Sequence, residues 1–521
     1  MLSPIEAYQA TIDLLPQFIW LGATVDQRYQ DLKLIENLAV DAAHAAIVSS
    51  NYSLALEWLE HARCIVWNQS LMLRSPLEKL KACHPALACQ LQATADQLHN
   101  TSLNPRESQA FNRSTTAEEV GQNHRRLAQE YEELIAQARI QPGFEDFLQP
   151  MKTNQLTCAA RNGPIVVINC HDARCDALLV IPQQLNVTHV PLPNFNSGKA
   201  KAARLELQMS VESMRLRERG AERRPMVGAG QEPEFVIGSM LAILWNDVVK
   251  PILDNLKYTK NTPTDNLPHI TWCPTGAMTF LPLHAAGDYD QPRSRVFDYA
   301  ISSYTPTITA LLETNPHSIS QDSRVLAVGQ AATPGHARLP GTALELDFMK
   351  THMHGKAKLT QLIDEQATTS AVLDAMDQHD WVHLACHAHQ NVNDPKKSGF
   401  FLSDGVLDLD GINQRSLKDK GLAFLSACQT AAGDEALPDE AVHLASGMLM
   451  AGYSSVIATM WSVSDADAPF VADKVYGQLM KKGMLGNGEA GRALHNAVEG
   501  LRAKVGENQF GRWVPFIHIG S

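Results

Sequence analysis

The spacing of apolar residues divides the chain into a helical part and a part that alternates strands with helices. Over residues 4–143, apolar positions return every three or four residues and long stretches lack glycine, which predicts amphipathic helices. The clearest stretch, residues 37–66, predicts two helices joined by a turn at 49–51. Near residue 155 the pattern changes, and β-rich runs follow at 165–169 and 177–181. We place a domain boundary there.

From Glu234 onward, short apolar runs alternate with helical segments of about 10 to 15 residues. The predicted strands are residues 270–272, 325–328, 381–385, 422–426 and 455–460. The predicted helices are residues 235–256, 342–352, 439–451 and 466–480. This alternation is typical of right-handed βαβ units. We therefore predict an α/β fold with a mainly parallel sheet and helices on both of its faces.

Composition and charge restrict the class of partner. The chain has 521 residues, 45% of them hydrophobic, a formal net charge of −12 and nine cysteines without regular spacing. Its length predicts several domains. Its acidic balance disfavours binding to nucleic acid or anionic lipid. The first residues lack a signal peptide, and no apolar stretch reaches the roughly 18 residues of a membrane span. We expect reduced thiols, a cytoplasmic location, and neither nucleic acid nor membrane as a partner.

Two of the predicted strands end in reactive side chains. Residues 381–385 are followed by His387, and residues 422–426 are followed by Cys428. In open α/β sheets, ligands bind beyond the carboxyl ends of the strands, and neighbouring strands are about 4.8 Å apart. An imidazole beside a thiol favours the thiolate, which is the nucleophilic form. If the two strands are neighbours, the pattern predicts a Cys-His nucleophile.

Several motifs surround these two residues. They are Ala385-Cys386-His387, Ser398-Gly399-Phe400-Phe401-Leu402, Leu425-Ser426-Ala427-Cys428-Gln429-Thr430 and Met460-Trp461-Ser462-Val463, with Trp272-Cys273-Pro274-Thr275-Gly276 and Leu339-Pro340-Gly341-Thr342 upstream. Together they resemble the CHAT family of caspase-like proteins, which are often found beside tetratricopeptide (TPR) helices. The resemblance covers residues from about 155 to 521. The helical segment 8–74 resembles the TPR tail of fungal members, although an ordinary helical hairpin would show the same spacing.

The resemblance implies a cysteine endopeptidase in the clan of caspases and separases. His387 would be the general base or imidazolium partner, and Cys428 the nucleophile that forms an acyl-enzyme with a protein substrate. It also implies three regions: an α-helical TPR-like region at 1–150, a pseudo-caspase lobe without catalytic residues at 155–320, and the catalytic lobe at 321–521. The helical region is where we expect a regulatory protein partner to act on a latent enzyme.

One position departs from the family pattern. Members usually have glycine directly after the catalytic histidine, where its backbone N–H helps to hold the oxyanion, and this chain has Ala388. Alanine keeps the N–H donor but disfavours a positive φ angle. We expect Ala388 to contribute to the oxyanion hole.

Acidic residues follow the nucleophile in the sequence. Asp434 and Glu435 lie soon after Cys428, and Asp465 follows the strand that ends near Trp461. These three are candidates for an S1 pocket that favours a basic P1 residue, as in separases. Asp439 and Glu440 follow Pro438 at the start of a predicted helix, so we interpret them as helix-capping carboxylates.

Two other interpretations compete with the protease. His383, Cys386, His387 and His389 lie within seven positions, but no second element completes a set of four zinc ligands, so we predict no metal and no cofactor. We interpret His383 as a core or supporting histidine. The alternative from a different functional class is a catalytically inactive caspase-like scaffold that acts as a protein-interaction module in signalling.

Overall fold

The computed structural model divides into two compact units, Met1–Lys152 and Thr153–Ser521. It describes residues 3–74, 77–103, 117–214, 232–260, 266–312, 317–391, 397–415, 417, 419–427, 430–431, 439–440, 443–486 and 488–521. The predicted boundary near residue 155 lies close to the division between the units. The further division into lobes at 155–320 and 321–521 stays a prediction.

The first unit is helical where it is described. Its helices are α1 Pro4–Phe18, α2 Val25–Leu32, α3 Leu38–Val48, α4 Tyr52–His61, α5 Ile65–Met72, α6 Glu78–Cys83, α7 Pro85–Leu103 and α8 Ala117–Arg139, with a 3-10 turn at Lys33–Ile35. The α3–α4 hairpin forms as predicted: Ser50 has a φ of 57° in the turn, and the side chain of Asn51 accepts a hydrogen bond from the N–H of Leu54. Its TPR character stays a prediction.

The second unit is built on one large sheet. Its strands are β1 Ile165–Cys170, β2 Cys175–Val180, β3 Thr188–Leu192, β4 His269–Pro274, β5 Ile301–Tyr304, β6 His317–Ser318, β7 Arg324–Gly329, β8 Lys358–Ile363, β9 Trp381–Ala385, β10 His387–His389, β11 Gly399–Phe401, β12 Val406–Asp408, β13 Lys420–Ser426, β14 Tyr453–Thr459, β15 Met484–Leu485 and β16 Phe516–Gly520. Eleven of these form the sheet β3-β2-β1-β4-β5-β16-β14-β13-β9-β7-β8. Smaller sheets join β10-β11-β12 and β15-β6.

The described residues of the second unit also form helices. They are α9 Thr153–Leu156, α10 Ser197–Ser213, α11 Pro233–Leu244, α12 Lys250–Asn255, α13 Thr309–Leu312, α14 Gly341–Met353, α15 Thr369–Gln378, α16 Leu409–Gln414, α17 Leu444–Ala451, α18 Ala468–Lys482, α19 Glu489–Val505 and α20 Phe510–Trp513. A π-helical turn, Trp245–Val249, joins α11 to α12. Short 3-10 helices lie at Thr157–Ala159, Gly276–Phe280, Leu283–Ala285, Val296–Asp298 and Asp364–Gln366.

The prediction of a mainly parallel sheet is confirmed. Strands β1, β4, β5 and β16 run parallel to one another, as do β14, β13, β9, β7 and β8. The two sets run in opposite directions, because β16 pairs antiparallel with β14. The C-terminal strand β16 thus joins the two halves of the sheet, and one hydrophobic core extends through both.

One helical stretch in the described part, Pro233–Asn255, is long and apolar enough to cross a membrane by length and composition. Half of its most apolar window is buried inside the protein. Its residues Leu241, Leu244 and Val248 are fully buried in the core of the second unit. This burial is what a core helix of a folded domain shows.

The helix predicted at 439–451 is wrong at its start. Helix α17 begins at Leu444, and its N-cap is His443, whose ring accepts a hydrogen bond from the N–H of Ser446 at 3.2 Å. Asp439 and Glu440 therefore lie before the helix and do not cap it. Asp439 instead accepts a hydrogen bond from the backbone N–H of Gly276 at 2.9 Å. Its carboxylate is thus used in a tertiary contact and not in a helix cap.

Candidate active site

The strands that precede His387 and Cys428 are neighbours. Strands β9 and β13 pair in parallel, with Leu384 opposite Leu425 and Ala385 opposite Ser426. Every residue of both strands is buried. The carboxyl ends of the two strands are therefore level at one edge of the sheet, which is where α/β folds bind ligands.

His387 lies at this edge, in the short strand β10. The side chain is buried, and its Nε2 lies 2.8 Å from the carbonyl oxygen of Ala337. A carbonyl only accepts hydrogen bonds, so Nε2 carries a proton. In the neutral imidazole, Nδ1 is then the basic nitrogen.

A second histidine ring lies against that of His387. The ring of His336 stacks on that of His387 with centroids 4.9 Å apart, and it lies 4.2 Å from the ring of Phe401. His336 and Ala337 both lie in the segment that follows β7, whose end Gly329 is level with Ala385. Sequence reasoning missed these contacts, although their place after a parallel strand was a usable signal.

Ala388 lies next to His387 in β10 and pairs with Phe400 of β11. It is partly exposed, and it is not among the residues with a positive φ angle. The backbone at this position therefore suits any L-amino acid, and glycine is not required here.

Cys428, Asp434 and Glu435 lie outside the described residues. The chain is described up to Ala427 and again at Thr430 and Ala431. Ala427 and Thr430 are both fully buried. The structure thus fixes the residues on either side of Cys428 and leaves the predicted pairing of Cys428 with His387 a prediction.

Asp465 is the described member of the S1 candidates. One oxygen of its carboxylate accepts a hydrogen bond from the backbone N–H of Gly341, the first residue of α14, at 2.7 Å. A carboxylate at the start of a helix is stabilised by the exposed N–H groups there. This contact gives Asp465 a structural role, and its place in an S1 pocket stays a prediction.

His383 belongs to a buried polar network beneath the site. Its Nε2 lies 3.1 Å from an oxygen of Glu345, and its Nδ1 lies 3.2 Å from the hydroxyl of Tyr476. Both partners are buried with it. Burial raises the pKa of Tyr476 well above its usual value, so its hydroxyl remains protonated.

Metal-ligating residues are not grouped in the described ranges. No set of three or more His, Cys, Asp or Glu side chains there could hold a metal ion. The cluster of His383, Cys386, His387 and His389 is therefore not brought together as a set of ligands.

Comparison with protein families finds one match, the CHAT domain, over residues 239–521. No curated protein matches the sequence. These 283 residues, from 239 to 521, are more than half of the chain and contain both His387 and Cys428.

Comparison with solved structures finds a separase-securin complex and a cysteine proteinase among its matches. A chain of the Saccharomyces cerevisiae separase-securin complex has a TM-score of 0.50 at 10% identity, over 99% of this chain and 40% of that chain. The Arg-specific cysteine proteinase gingipain R has a TM-score of 0.37 at 12% identity, over 53% of this chain and 68% of that chain. This chain thus spans less than half the length of the separase chain. At 10% identity the separase match shows the fold alone.

Proposed function

The chain belongs to the CHAT family, and from this membership we propose that it is a cysteine endopeptidase that uses His387 and Cys428. The observation that carries the proposal is the register of β9 and β13, with Ala385 opposite Ser426. Each residue of the pair follows its strand end by two positions, so the chain itself limits how far apart the two can lie.

The hydrogen bonding of His387 supports a role as the base. Because Nε2 donates to the carbonyl of Ala337, Nδ1 is the nitrogen that can accept a proton from a thiol. The bond also fixes the ring plane, as the orienting partner of a catalytic histidine must. A thiol that transfers its proton to Nδ1 becomes the thiolate, which attacks a peptide carbonyl.

The reaction then follows from the pair. The Cys428 thiolate adds to the carbonyl carbon of the substrate, and the imidazolium of His387 protonates the departing amine to leave a thioester. Water hydrolyses this acyl-enzyme, with His387 accepting a proton from the water. The backbone N–H of Ala388 would donate to the oxyanion in both steps.

The substrate preference is the finer part of the proposal. Asp434, Glu435 and Asp465 would favour a basic P1 residue by charge complementarity. A peptide library cleaved only after Asp or Leu would contradict this preference while leaving the proposed chemistry intact. The helices of the first unit would bind a regulatory protein, and the reduced thiols suit a cytoplasmic location.

A thiol-reactive peptidyl probe tests the dyad. We expect the probe to label the wild-type protein but neither Cys428→Ala nor His387→Ala. Cys158→Ala is the matched control, because Cys158 is an exposed cysteine in the same unit and its loss should leave labelling unchanged. Labelling that persists in Cys428→Ala would overturn the protease mechanism.

Proteome-wide profiling of new N-termini then tests turnover. Lysate treated with the wild-type protein should gain cleavage sites that are lacking after treatment with Cys428→Ala. The second unit is also tested without the first. If the probe labels the protein but neither the full chain nor the second unit alone produces new N-termini, the inactive scaffold is favoured.

A further inference from the structure

Thr459 ends strand β14 beside the end of β13 and is almost fully buried. Its hydroxyl donates a hydrogen bond to the carbonyl of Ala427 at 2.7 Å. Its backbone N–H donates to the hydroxyl of Thr430 at 2.9 Å, and its carbonyl accepts from the N–H of Ala431 at 2.9 Å. All three polar groups of this one residue are thus used by the chain around position 428.

These contacts lie on both sides of the predicted nucleophile. Ala427 directly precedes Cys428, and Thr430 follows it after one intervening residue. Thr430 is held a second time, because its carbonyl accepts a hydrogen bond from Ala445 N–H in the first turn of α17. The described residues on both sides of the predicted nucleophile are therefore held by hydrogen bonds.

The arrangement differs from ordinary strand pairing. In parallel pairing, backbone groups bond to backbone groups along the ladder. Here two of the three contacts use a threonine hydroxyl, and the hydroxyls of Thr430 and Thr459 are themselves 3.5 Å apart. Because all of these groups are buried, loss of either hydroxyl leaves a buried backbone group without its partner.

We propose that Thr459 is a positioning residue that holds Cys428 in reach of His387 by binding the chain on both sides of it. This inference rests on the proposed function. As a positioning residue, Thr459 would act through the backbone around Cys428 and not directly on the substrate. Its effect is geometric, since a displacement of the nucleophile on the order of 1 Å can lower the rate of a positioned reaction by roughly a hundredfold.

Alkylation of Cys428 by iodoacetamide measures this positioning without a known substrate. The full chain is treated at several pH values, and the peptide that contains Cys428 is followed by mass spectrometry. In the wild type we expect fast alkylation that persists below the ordinary thiol pKa of about 8.5, because His387 favours the thiolate. Thr459→Val removes the hydroxyl and keeps the shape. It should slow alkylation at pH 7 by at least about tenfold and return the pH profile toward an ordinary thiol.

Thr459→Ser is the matched control, because it keeps the donor to Ala427 and loses only a methyl group. We expect its alkylation rate and pH profile to stay within about twofold of the wild type. Melting temperatures show that each variant is folded at the temperature of the assay, so that a loss of stability alone does not account for a changed profile.

The outcomes separate the two proposals. If His387→Ala slows alkylation but a folded Thr459→Val behaves as the wild type, the positioning role is wrong and the dyad stands. If the wild type alkylates no faster than His387→Ala, the proposed function is wrong and the positioning role falls with it. If Thr459→Ser slows alkylation as much as Thr459→Val does, the loss of the hydroxyl is not the cause of the slower alkylation, and the positioning role is overturned.

Discussion

At the scale of single residues, backbone geometry decides which substitutions the fold accepts. Ala388 has a φ angle that is not positive, so the backbone there does not require glycine. Gly491, by contrast, is a position where no side chain fits. A Cβ added there would lie 2.8 Å from Ser303 Oγ and 3.1 Å from His518 Nδ1, so a side chain is excluded by crowding.

We predict that Ala388→Gly leaves the rate of probe labelling at Cys428 unchanged or raises it. The backbone N–H remains, and the methyl group beside the substrate path is lost. A decrease of more than about tenfold would contradict the assigned place of Ala388 in the oxyanion hole.

We predict opposite effects for two glycines of the same helix. Gly491→Ala should lower the free energy of unfolding by about 1–3 kcal/mol, because α19 must move away from the strands. At Gly500 the nearest atom to an added Cβ is in the ring of Phe470 at 3.4 Å, an ordinary contact. Gly500→Ala should therefore be neutral or stabilise by up to about 1 kcal/mol. Urea unfolding of the two variants measures the difference.

At the scale of elements, sequence patterns placed the strands that they identified within two residues of their observed starts. The pattern predicted β9 with its observed bounds, because a short, mostly apolar run is consistent with a buried strand. It missed β3, β5, β8 and β16 of the large sheet. It placed the start of α17 too early. A proline followed by two carboxylates is typical of a helix start, and the sequence does not show that Asp439 binds Gly276 instead.

We predict that Asp465 stabilises the start of α14. Asp465→Ala should lower the free energy of unfolding by about 1 kcal/mol, because the N–H of Gly341 loses its acceptor. Asp465→Asn keeps an acceptor oxygen and should lose less. Thermal unfolding measures both variants, and equal losses would show that the hydrogen bond is not what the carboxylate contributes.

At the scale of the whole molecule, a buried chain of hydrogen bonds links the two halves of the sheet. His269 Nε2 lies 2.6 Å from Ser303 Oγ, which lies 2.6 Å from His518 Nδ1, and His518 Nε2 lies 2.7 Å from Ser455 Oγ. The four residues belong to β4, β5, β16 and β14. Burial lowers the pKa of His269 to about 4 and that of His518 to about 3.

These shifts predict a loss of stability in mild acid. In the unfolded chain a histidine has a pKa of about 6.5, so between about pH 6.5 and 4 the unfolded state binds more protons than the folded state. Stability is then complete above about pH 6.5 and falls as the pH decreases toward 4. His284 and His443, with pKa values lowered by burial to about 4, add to this effect. Melting temperatures measured from pH 7.5 to 5 should fall, and a constant value would contradict the prediction.

The candidate site could be predicted from the sequence only in part. His387 and Cys428 could be proposed because each follows an apolar strand and because the motifs around them resemble the CHAT family, but the sequence did not establish that the two strands are neighbours. His336 and Ala337 were signalled only by their place after a parallel strand, and the role of Thr459 could not be predicted, because it depends on which loops meet at the sheet edge. The hydrogen bonds of Thr459 join residues 28 to 32 positions apart, and the contacts of His336 and Ala337 join residues 50 to 65 positions apart.

The position of β16 in the sheet also affects the order in which the protein folds during its synthesis. This strand lies between β5 and β14, so residues 516–520 are needed before the two halves of the sheet can pair. A nascent chain on the ribosome exposes His387 and Cys428 long before those residues emerge. The two halves of the sheet can therefore join only after residues 516–520 have emerged, whereas β9 and β13, which pair within one half, do not depend on β16 for their pairing.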